Sequence, residues 1–228
     1  MNVACIFITC GRPELSLRCI AQNFFNAELS ADVFLIDNGS TPEDLEQIKA
    51  AYPFTKVHAF DKNEGIASAI NKGIELAEGY DAVATLANDI LMPSGWLARM
   101  VEYAGKIPKS GMVGIHCVEA LPEIGPLGVH EIFTPFGNVL ITRDALDTIG
   151  LFNTEYDPYG MQDADYAYRL NKTGFISYYL PGLKSDHIGA DVGTNTEYRT
   201  MKDAGLAKAY DIWTAAIQRY DETGIYKL

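Results

Sequence analysis

Polar residues able to bind a ligand stand where apolar runs of this chain stop. Thr9 closes "VACIFIT", with Gly11 and Arg12 just beyond, and Asp37 closes "DVFLID". Asn88 and Asp89 follow "AVATLA". Two further carboxylates, Asp163 and Asp165, share "YGMQDADYAYRL", and His187 lies in "SDHIGAD". A carboxylate is acceptor-only at neutral pH. It suits a hard divalent cation such as Mg2+ or Mn2+ when substrate phosphates complete the shell. It can also accept hydrogen bonds from a base or ribose, or take a proton from an attacking hydroxyl. Each residue has a plainer role beside the chemical one. Asp37 in "DNGS" can form an Asx turn. One of the Asp163–Asp165 pair can cap a helix, with Asp165 the more structural candidate. A lone His is most often a surface or packed side chain, although with carboxylates nearby it becomes a possible metal ligand.

These residues need elements to hold them. "VACIFIT", "DVFLID" and "YDAVATLA" are continuous, β-rich apolar runs and read as strands buried on both faces. "KVHAF" is a further strand. Helices alternate with them: one starting at Pro13, one over "PEDLEQIKAAY", one with Ile66, Ile70 and Ile74 as its apolar stripe, and "GWLARMVEYA". Strand–helix alternation of this kind implies a parallel sheet with helices on both faces. Ligands of such sheets bind beyond the carboxyl ends of the strands. Thr9–Arg12, Asp37–Ser40 and Asn88–Asp89 all fall at such ends, so they are expected to converge on one edge. The second half reads as the strand "MVGIH", a Pro- and Gly-rich loop over 116–135, and a strand and short helix within "FGNVLITRDALDTIGLFN". Then come the helix "DADYAYRLNKTG" closed by Gly174, the strand "FISYYLP", a polar loop from Gly182 to Arg199 and a final amphipathic helix. A loop as long as 116–135 inside a compact domain is usually functional.

Composition narrows the function. The formal net charge of −12 over 228 residues argues against docking on a nucleic-acid backbone, which needs clustered Lys and Arg. It leaves room for a local basic pocket for a small phosphate ligand. The first turn, "TCGRPEL", lacks the G-x-G-x-x-G of a dinucleotide fold, so Asp37 is not expected to hold such a cofactor. Cys5, Cys10, Cys19 and Cys117 form no C-x-x-C pair and read as buried reduced thiols of a cytoplasmic protein. "MNVACIFITC" lacks a basic start and reads as a first strand, not a signal peptide. No apolar run reaches the roughly 18 residues of a membrane span. A single domain over 1–228 is expected.

Taken in order, the motifs resemble those of glycosyltransferase family 2, over roughly residues 3 to 190. "FITCGRPE" resembles its opening strand and turn, and "LIDNGST" its second-strand motif. "NEGIASAINKGI" resembles its N-x-G-x-x-x-x-x-N-x-G helix start, and "ANDILMPSGWL" its Asn-Asn-Asp metal motif with Gly-Trp-Leu. "ITRDALDTIGLFNTEYDPYGMQDADYAYRLNKTGF" resembles its acceptor-side segment, in which an Asp near "ED-x-D" is the base.

The resemblance implies an α/β fold of GT-A type: a mostly parallel central sheet flanked by helices. A Rossmann-like nucleotide-sugar half is implied at 1–105, an acceptor half at 106–198 and a C-terminal helix at 199–228. It implies a metal-dependent, inverting transferase taking a UDP-, GDP- or dTDP-sugar to a glycan, lipid-linked or other hydroxyl acceptor. By position, Thr9, Gly11, Arg12, Asp37 and Asn88 line the nucleotide-sugar pocket, and Asn63, Gly65 and Asn71 border it. Asp89 holds Mn2+ or Mg2+, His187 is a candidate second ligand and Asp163 is the base. The sequence departs from the family twice. Ala87 replaces a residue that is often polar in the metal motif, and Gln162 replaces the Glu before the catalytic Asp, removing a charge that would repel the Asp163 carboxylate. Two other classes remain open: a nucleotidyltransferase or other nucleotide-sugar enzyme with the same metal arrangement, and a catalytically silent sugar-nucleotide- or glycan-binding relative.

Overall fold

A computed structural model describes residues 1–189 and 196–228. Its centre is an eight-stranded sheet of order β3-β2-β1-β4-β8-β6-β9-β7. The strands are β1 (Val3–Thr9), β2 (Asp32–Asp37), β3 (Lys56–Ala59), β4 (Ala82–Ala87), β6 (Ser110–Gly114), β7 (His130–Glu131), β8 (Val139–Thr142) and β9 (Ile176–Tyr179). β3, β2, β1 and β4 run parallel, as do β6 and β9. β8 runs antiparallel between β4 and β6, and β7 lies antiparallel on β9. The sheet is therefore mostly parallel, as expected, with its reversed strands confined to the second half.

All seven residues of β1 are buried, because the strand is covered on both sides. Strand side chains alternate between faces, and the two sets enter different cores. Val3, Cys5 and Phe7 pack with Cys19, Ile20, Ile48, Trp96, Leu97 and Met100. That places α1 (Pro13–Asn23), α2 (Pro42–Ala50) and α4 (Trp96–Lys106) on one face. Ala4, Ile6 and Ile8 pack with Ile70, Ile74, Ala145, Tyr166 and Leu170. That places α3 (Ile66–Leu76), α5 (Arg143–Ile149) and α6 (Gln162–Lys172) on the other. Gly73 lets α3 approach closely, since a Cβ there would overlap the Ile6 side chain.

Three short strands were not evident in the sequence, among them β7 inside the expected 116–135 loop. β5 (Ile90–Leu91) and β10 (Asp186–His187) pair antiparallel in a separate ribbon. β10 lies inside the expected polar loop, whose residues 190–195 are outside the described ones. The last helix, α7 (Thr196–Thr223), starts ahead of the boundary expected at 199. Among its described side chains, only Ala209, Ala216 and Tyr220 are buried, so its amphipathic face is a narrow seam. Cys5 and Cys19 are buried as expected; Cys10 is exposed and Cys117 partly so. No described helix is long and apolar enough to cross a membrane.

Side chains couple the two halves. The Asn71 amide donates to the Phe152 carbonyl at 2.8 Å and accepts from the Phe152 N–H at 2.8 Å. Phe152 in turn stacks on Tyr166 of α6 at 4.1 Å. Asp165 and Arg169 form a fully buried ion pair at 2.8 Å, and Asp165 also accepts from the Tyr156 and Tyr220 hydroxyls. Arg169 donates onward to the carbonyls of Ile149 and Leu151. Asn71→Ala removes both bonds to Phe152 and leaves buried backbone groups unpaired, so it should cost about 2–4 kcal/mol. Urea unfolding measures this, and a loss below about 0.5 kcal/mol would contradict the coupling.

Candidate functional site

The register brings the predicted residues to one level. Thr9 pairs with Asp37, and Ile8 with Ala87. The carboxyl ends of β2, β1 and β4 thus present Asp37, Thr9 and Asn88–Asp89 side by side. The second half continues this edge. β8 begins at Val139, paired with Thr85 of β4 and with Gly114 at the end of β6. Gly114 pairs with Tyr179 at the end of β9.

Thr9 and Asn88 form a small polar knot. The Thr9 and Ser16 hydroxyls are 2.8 Å apart, and the Asn88 amide donates to Ser16 at 3.0 Å and to Thr9 at 3.3 Å. The knot holds the β1–α1 turn against the end of β4. In that turn Gly11 and Arg12 both adopt left-handed backbone, with φ of 61° and 54°. Such a conformation is strained for Arg. It sends Arg12 toward Asp89, their charged groups 3.7 Å apart. The Gly11 N–H donates to Ser40 Oγ at 2.7 Å. Asp37, almost wholly buried, accepts from the Ser40 N–H at 3.0 Å and from its hydroxyl. This is the turn arrangement that "DNGS" suggested, and it fixes the carboxylate at the strand end.

Asn38, within the Asp37–Ser40 strand end, has a role that was not expected of it. It is buried, and its amide donates to Asn63 Oδ1 and to the Gly65 carbonyl, both at 3.1 Å. Its carbonyl accepts from the Glu64 N–H. Asn38 thereby fastens the 63–65 turn to β2, which puts Asn63 beside Cys10, at 3.6 Å from its Sγ. The Asn in "DNGS" was the available signal.

The N-terminus of α3 is already engaged. Asp157 accepts from the N–H groups of Ala67 and Ser68 at 2.9 and 3.1 Å, and from the Ser68 hydroxyl at 2.6 Å. Gly65 has φ of 102°, and a Cβ there would overlap Asp157. Gly65 thus serves the docking of a carboxylate from the second half of the chain. Asn71, one turn further along α3, spends its amide on Phe152. It faces the sheet side opposite Asp37 and borders a separate cavity of about 370 Å3 with His58, Lys72 and Glu75.

The β5–β10 ribbon joins the two predicted metal ligands. His187 pairs with Ile90, which brings its Nε2 within 3.5 Å of Asp89 Oδ2. The Asp89 carbonyl accepts from the N–H groups of Ile188 and Gly189. Among the described residues no cluster of three His, Cys, Asp or Glu forms. A carboxylate and an imidazole on one side of an open edge fit a divalent cation whose remaining positions a diphosphate fills.

Asp163 stands two residues after Met161, a residue with left-handed backbone at φ of 62°, and sits in the first turn of α6. Its carboxylate accepts from the Ala164 N–H at 2.9 Å. Burial raises its pKa above the ordinary carboxylate value, against the lowering effect of that bond. Gln162 donates no charge here; its side-chain oxygen accepts from the Gly160 N–H at 3.0 Å. Asp163 lies close enough to Tyr179 to help raise that phenol's pKa, behind burial and Cys117. With only residues 173–175 between α6 and β9, the helix runs back along the strand, so its first turn lies toward the carboxyl end of β9. Asp165, by contrast, is wholly consumed by Arg169, Tyr156 and Tyr220.

Gly189 gives a direct test of the Asp89–His187 arrangement. A Cβ at this position would overlap the Asp89 side chain, Cβ included, so Asp89 would have to shift relative to His187. Gly189→Ala should weaken Mn2+ binding in the presence of a nucleoside diphosphate by about tenfold or more, the scale of disturbing a metal ligand's support. Isothermal calorimetry reads this, and unchanged Mn2+ affinity would separate Asp89 from any metal.

Comparison with known proteins finds relatives in sequence and in fold. Residues 5–122 match the sequence pattern described as Glycosyl transferase family 2. The N-acetylglucosaminyl-diphospho-decaprenol L-rhamnosyltransferase of Mycobacterium tuberculosis (strain CDC 1551 / Oshkosh) is 24% identical over 222 residues, covering 77% of this chain and 72% of that protein. The mannosyltransferase PcManGT of Pyrobaculum calidifontis, solved with GDP-Man and Mn2+, superposes with a TM-score of 0.64 at 19% identity, over 84% of this chain. GalNAc-T7, solved with UDP, GalNAc and Mn2+, superposes with a TM-score of 0.61 at 15% identity, over 82% of this chain. The chain spans 58% and 44% of the lengths of those two structures. The folds agree, the GT-A glycosyltransferase architecture is shared, and the sequence match covers more than half of the residues: this chain belongs to glycosyltransferase family 2.

Proposed function

We propose that the protein transfers a sugar from a nucleoside-diphosphate sugar to an acceptor hydroxyl, with inversion and with help from Mn2+ or Mg2+. The observation that supports this reading is the register that brings Asp37, Thr9–Arg12 and Asn88–Asp89 to one sheet edge, with Asp163 in the first turn of α6 toward the carboxyl end of β9. Each has the chemistry of one part of the reaction. Asp37 is held to accept from an imide or ribose of the nucleotide. Arg12 stands beside Asp89 with a charge to offer the diphosphate. Asp89 and His187 would hold the cation, which when bound supplies Lewis-acid neutralisation of the departing diphosphate. Asn63 and Gly65 border the pocket through Asn38 and Asp157, and Asn71 supports it by anchoring α3.

Asp163 is the proposed base. It takes the proton of the acceptor hydroxyl as that oxygen attacks the anomeric carbon from the face opposite the leaving group. Burial serves this role, since a carboxylate held above its ordinary pKa is a stronger base. The acceptor would meet the 116–135 loop and the C-terminal region; the loop and its neighbour Phe136 expose Val118, Ile124, Phe133 and Phe136. These apolar side chains support a glycan or lipid-linked acceptor, and the mycobacterial relative is named for a diphospho-decaprenol compound. A cytoplasmic location fits cysteines that form no disulfide.

The test is Asp163→Asn. A general base acts in the chemical step, so affinity for a nucleotide sugar should stay within a few-fold while transfer falls by on the order of 10²–10⁴. Donor hydrolysis by water serves until an acceptor is found. Wild-type activity should rise with pH through the raised Asp163 pKa, because only the ionised carboxylate accepts a proton. Stability carries the opposite sign. A raised folded-state pKa favours the protonated form, so Asp163 stabilises below its unfolded pKa and loses that contribution as pH rises through the folded one. The melting temperature of the Asn variant relative to wild type should therefore increase across that window. Full transfer by the variant would remove Asp163 from the mechanism, and nucleotide-sugar binding without any turnover in wild type would make the protein a silent relative.

A further inference from the structure

Asn138 stands on the site edge with half of its amide unused. It precedes β8 and is 3% exposed. Its Oδ1 accepts from the Ala87 N–H at 2.8 Å. Its Nδ2 is buried and, among the described residues, has no hydrogen-bond acceptor. The preceding residue, Gly137, has φ of 89°, and a Cβ there would stand 3.2 Å from Ile90 Cδ1. The Gly137–Asn138 corner therefore touches the 87–90 turn at both ends, with Asn88 and Asp89 between. Ala87 is also the position at which the metal motif lacks a polar side chain. Asn138 supplies one there, from the neighbouring antiparallel strand.

Buried amide donors are nearly always paired, and an orphan beside a ligand-binding edge indicates a partner that arrives with the ligand. We propose that Asn138 is a donor-substrate contact: its Nδ2 donates to an oxygen of the sugar-diphosphate part of the nucleotide sugar, while its Oδ1 keeps the end of β4 in place. This rests on the nucleotide-sugar reading of the edge. The oxygen is a hydroxyl of the transferred sugar or a phosphate oxygen, and both are acceptors that an amide N–H would bind.

Two substitutions isolate the donor. Asn138→Asp keeps an oxygen for the Ala87 N–H and loses the N–H of the amide; Asn138→Ala loses both. Binding is measured by calorimetry with Mn2+, using UDP-glucose, GDP-mannose and dTDP-rhamnose beside UDP, GDP and dTDP. With the best wild-type probe, both variants should bind about tenfold more weakly, the scale of one hydrogen bond left unmade. A loss confined to the nucleotide sugar identifies a sugar hydroxyl, and an equal loss for the diphosphate identifies a phosphate oxygen. If Asn138→Ala fails to fold, Asn138→Ser replaces it, its hydroxyl being too short to serve Ala87 and a ligand together. A loss in the Ala or Ser variant with normal binding by Asp means a purely structural role and overturns the proposal. A loss in Asp alone reflects added negative charge and overturns it as well, as does normal binding by both. Wild-type protein that binds none of the probes overturns the nucleotide-sugar reading itself, and this contact with it.

Discussion

The pairing of β4 on both of its edges is the constraint from which the site follows. β1 lies parallel on one side and β8 antiparallel on the other, and helices cover both faces. A strand so enclosed has no freedom of register, because a one-residue slip would exchange its two buried faces. The point where Asn88 and Asp89 emerge is therefore set by the core, before any ligand is considered. Everything placed around Asp89 refers to that point: Arg12 from the first turn, His187 from the β5–β10 ribbon, and Asn138 from the corner before β8.

The left-handed residues Arg12 and Met161 play parallel roles. Each stands immediately before a helix, Arg12 as a residue of the site edge itself and Met161 two residues ahead of the candidate base Asp163. Non-glycine residues in this conformation persist only where surrounding contacts determine them. At Arg12 the determinants are the Gly11–Ser40 bond, the Thr9–Ser16–Asn88 knot and Pro13 at the first helical position. The strain is the cost of turning sharply enough to keep Arg12 over the sheet edge.

Much of the fold was legible because its signals are local. The buried runs of β1, β2 and β4 are continuous and largely apolar, and the α3 stripe of isoleucines has helical spacing. Asp37, Asn88 and Asp89 could be grouped because parallel strands deliver their carboxyl ends to one side. What escaped was whatever depends on partners far along the chain. A two-residue ribbon such as β5–β10 has no periodicity to detect, yet it is what seats His187 beside Asp89. Asn38, Asn138 and Asp157 are ordinary turn residues in sequence, and their importance comes from what they meet: the 63–65 turn, Ala87 and the start of α3. Asn71 illustrates the converse. Its motif placed it near the nucleotide pocket, and in the structure both ends of its amide hold Phe152.

The capture of the α3 N-terminus by Asp157 bears on how such a fold can be rebuilt. A helix start whose N–H groups already hold a carboxylate has little positive potential left for a second anion. The boundary near residue 105 therefore looks like a module junction in sequence without being one in space. A chimera joined there, taking its second half from a relative, would import a foreign residue at the place of Asp157 and a foreign loop beneath Asn71. Recombination is confined to crossovers that keep Gly65 with Asp157 and Asn71 with the Phe152 segment, which leaves the 116–135 loop as the interchangeable part.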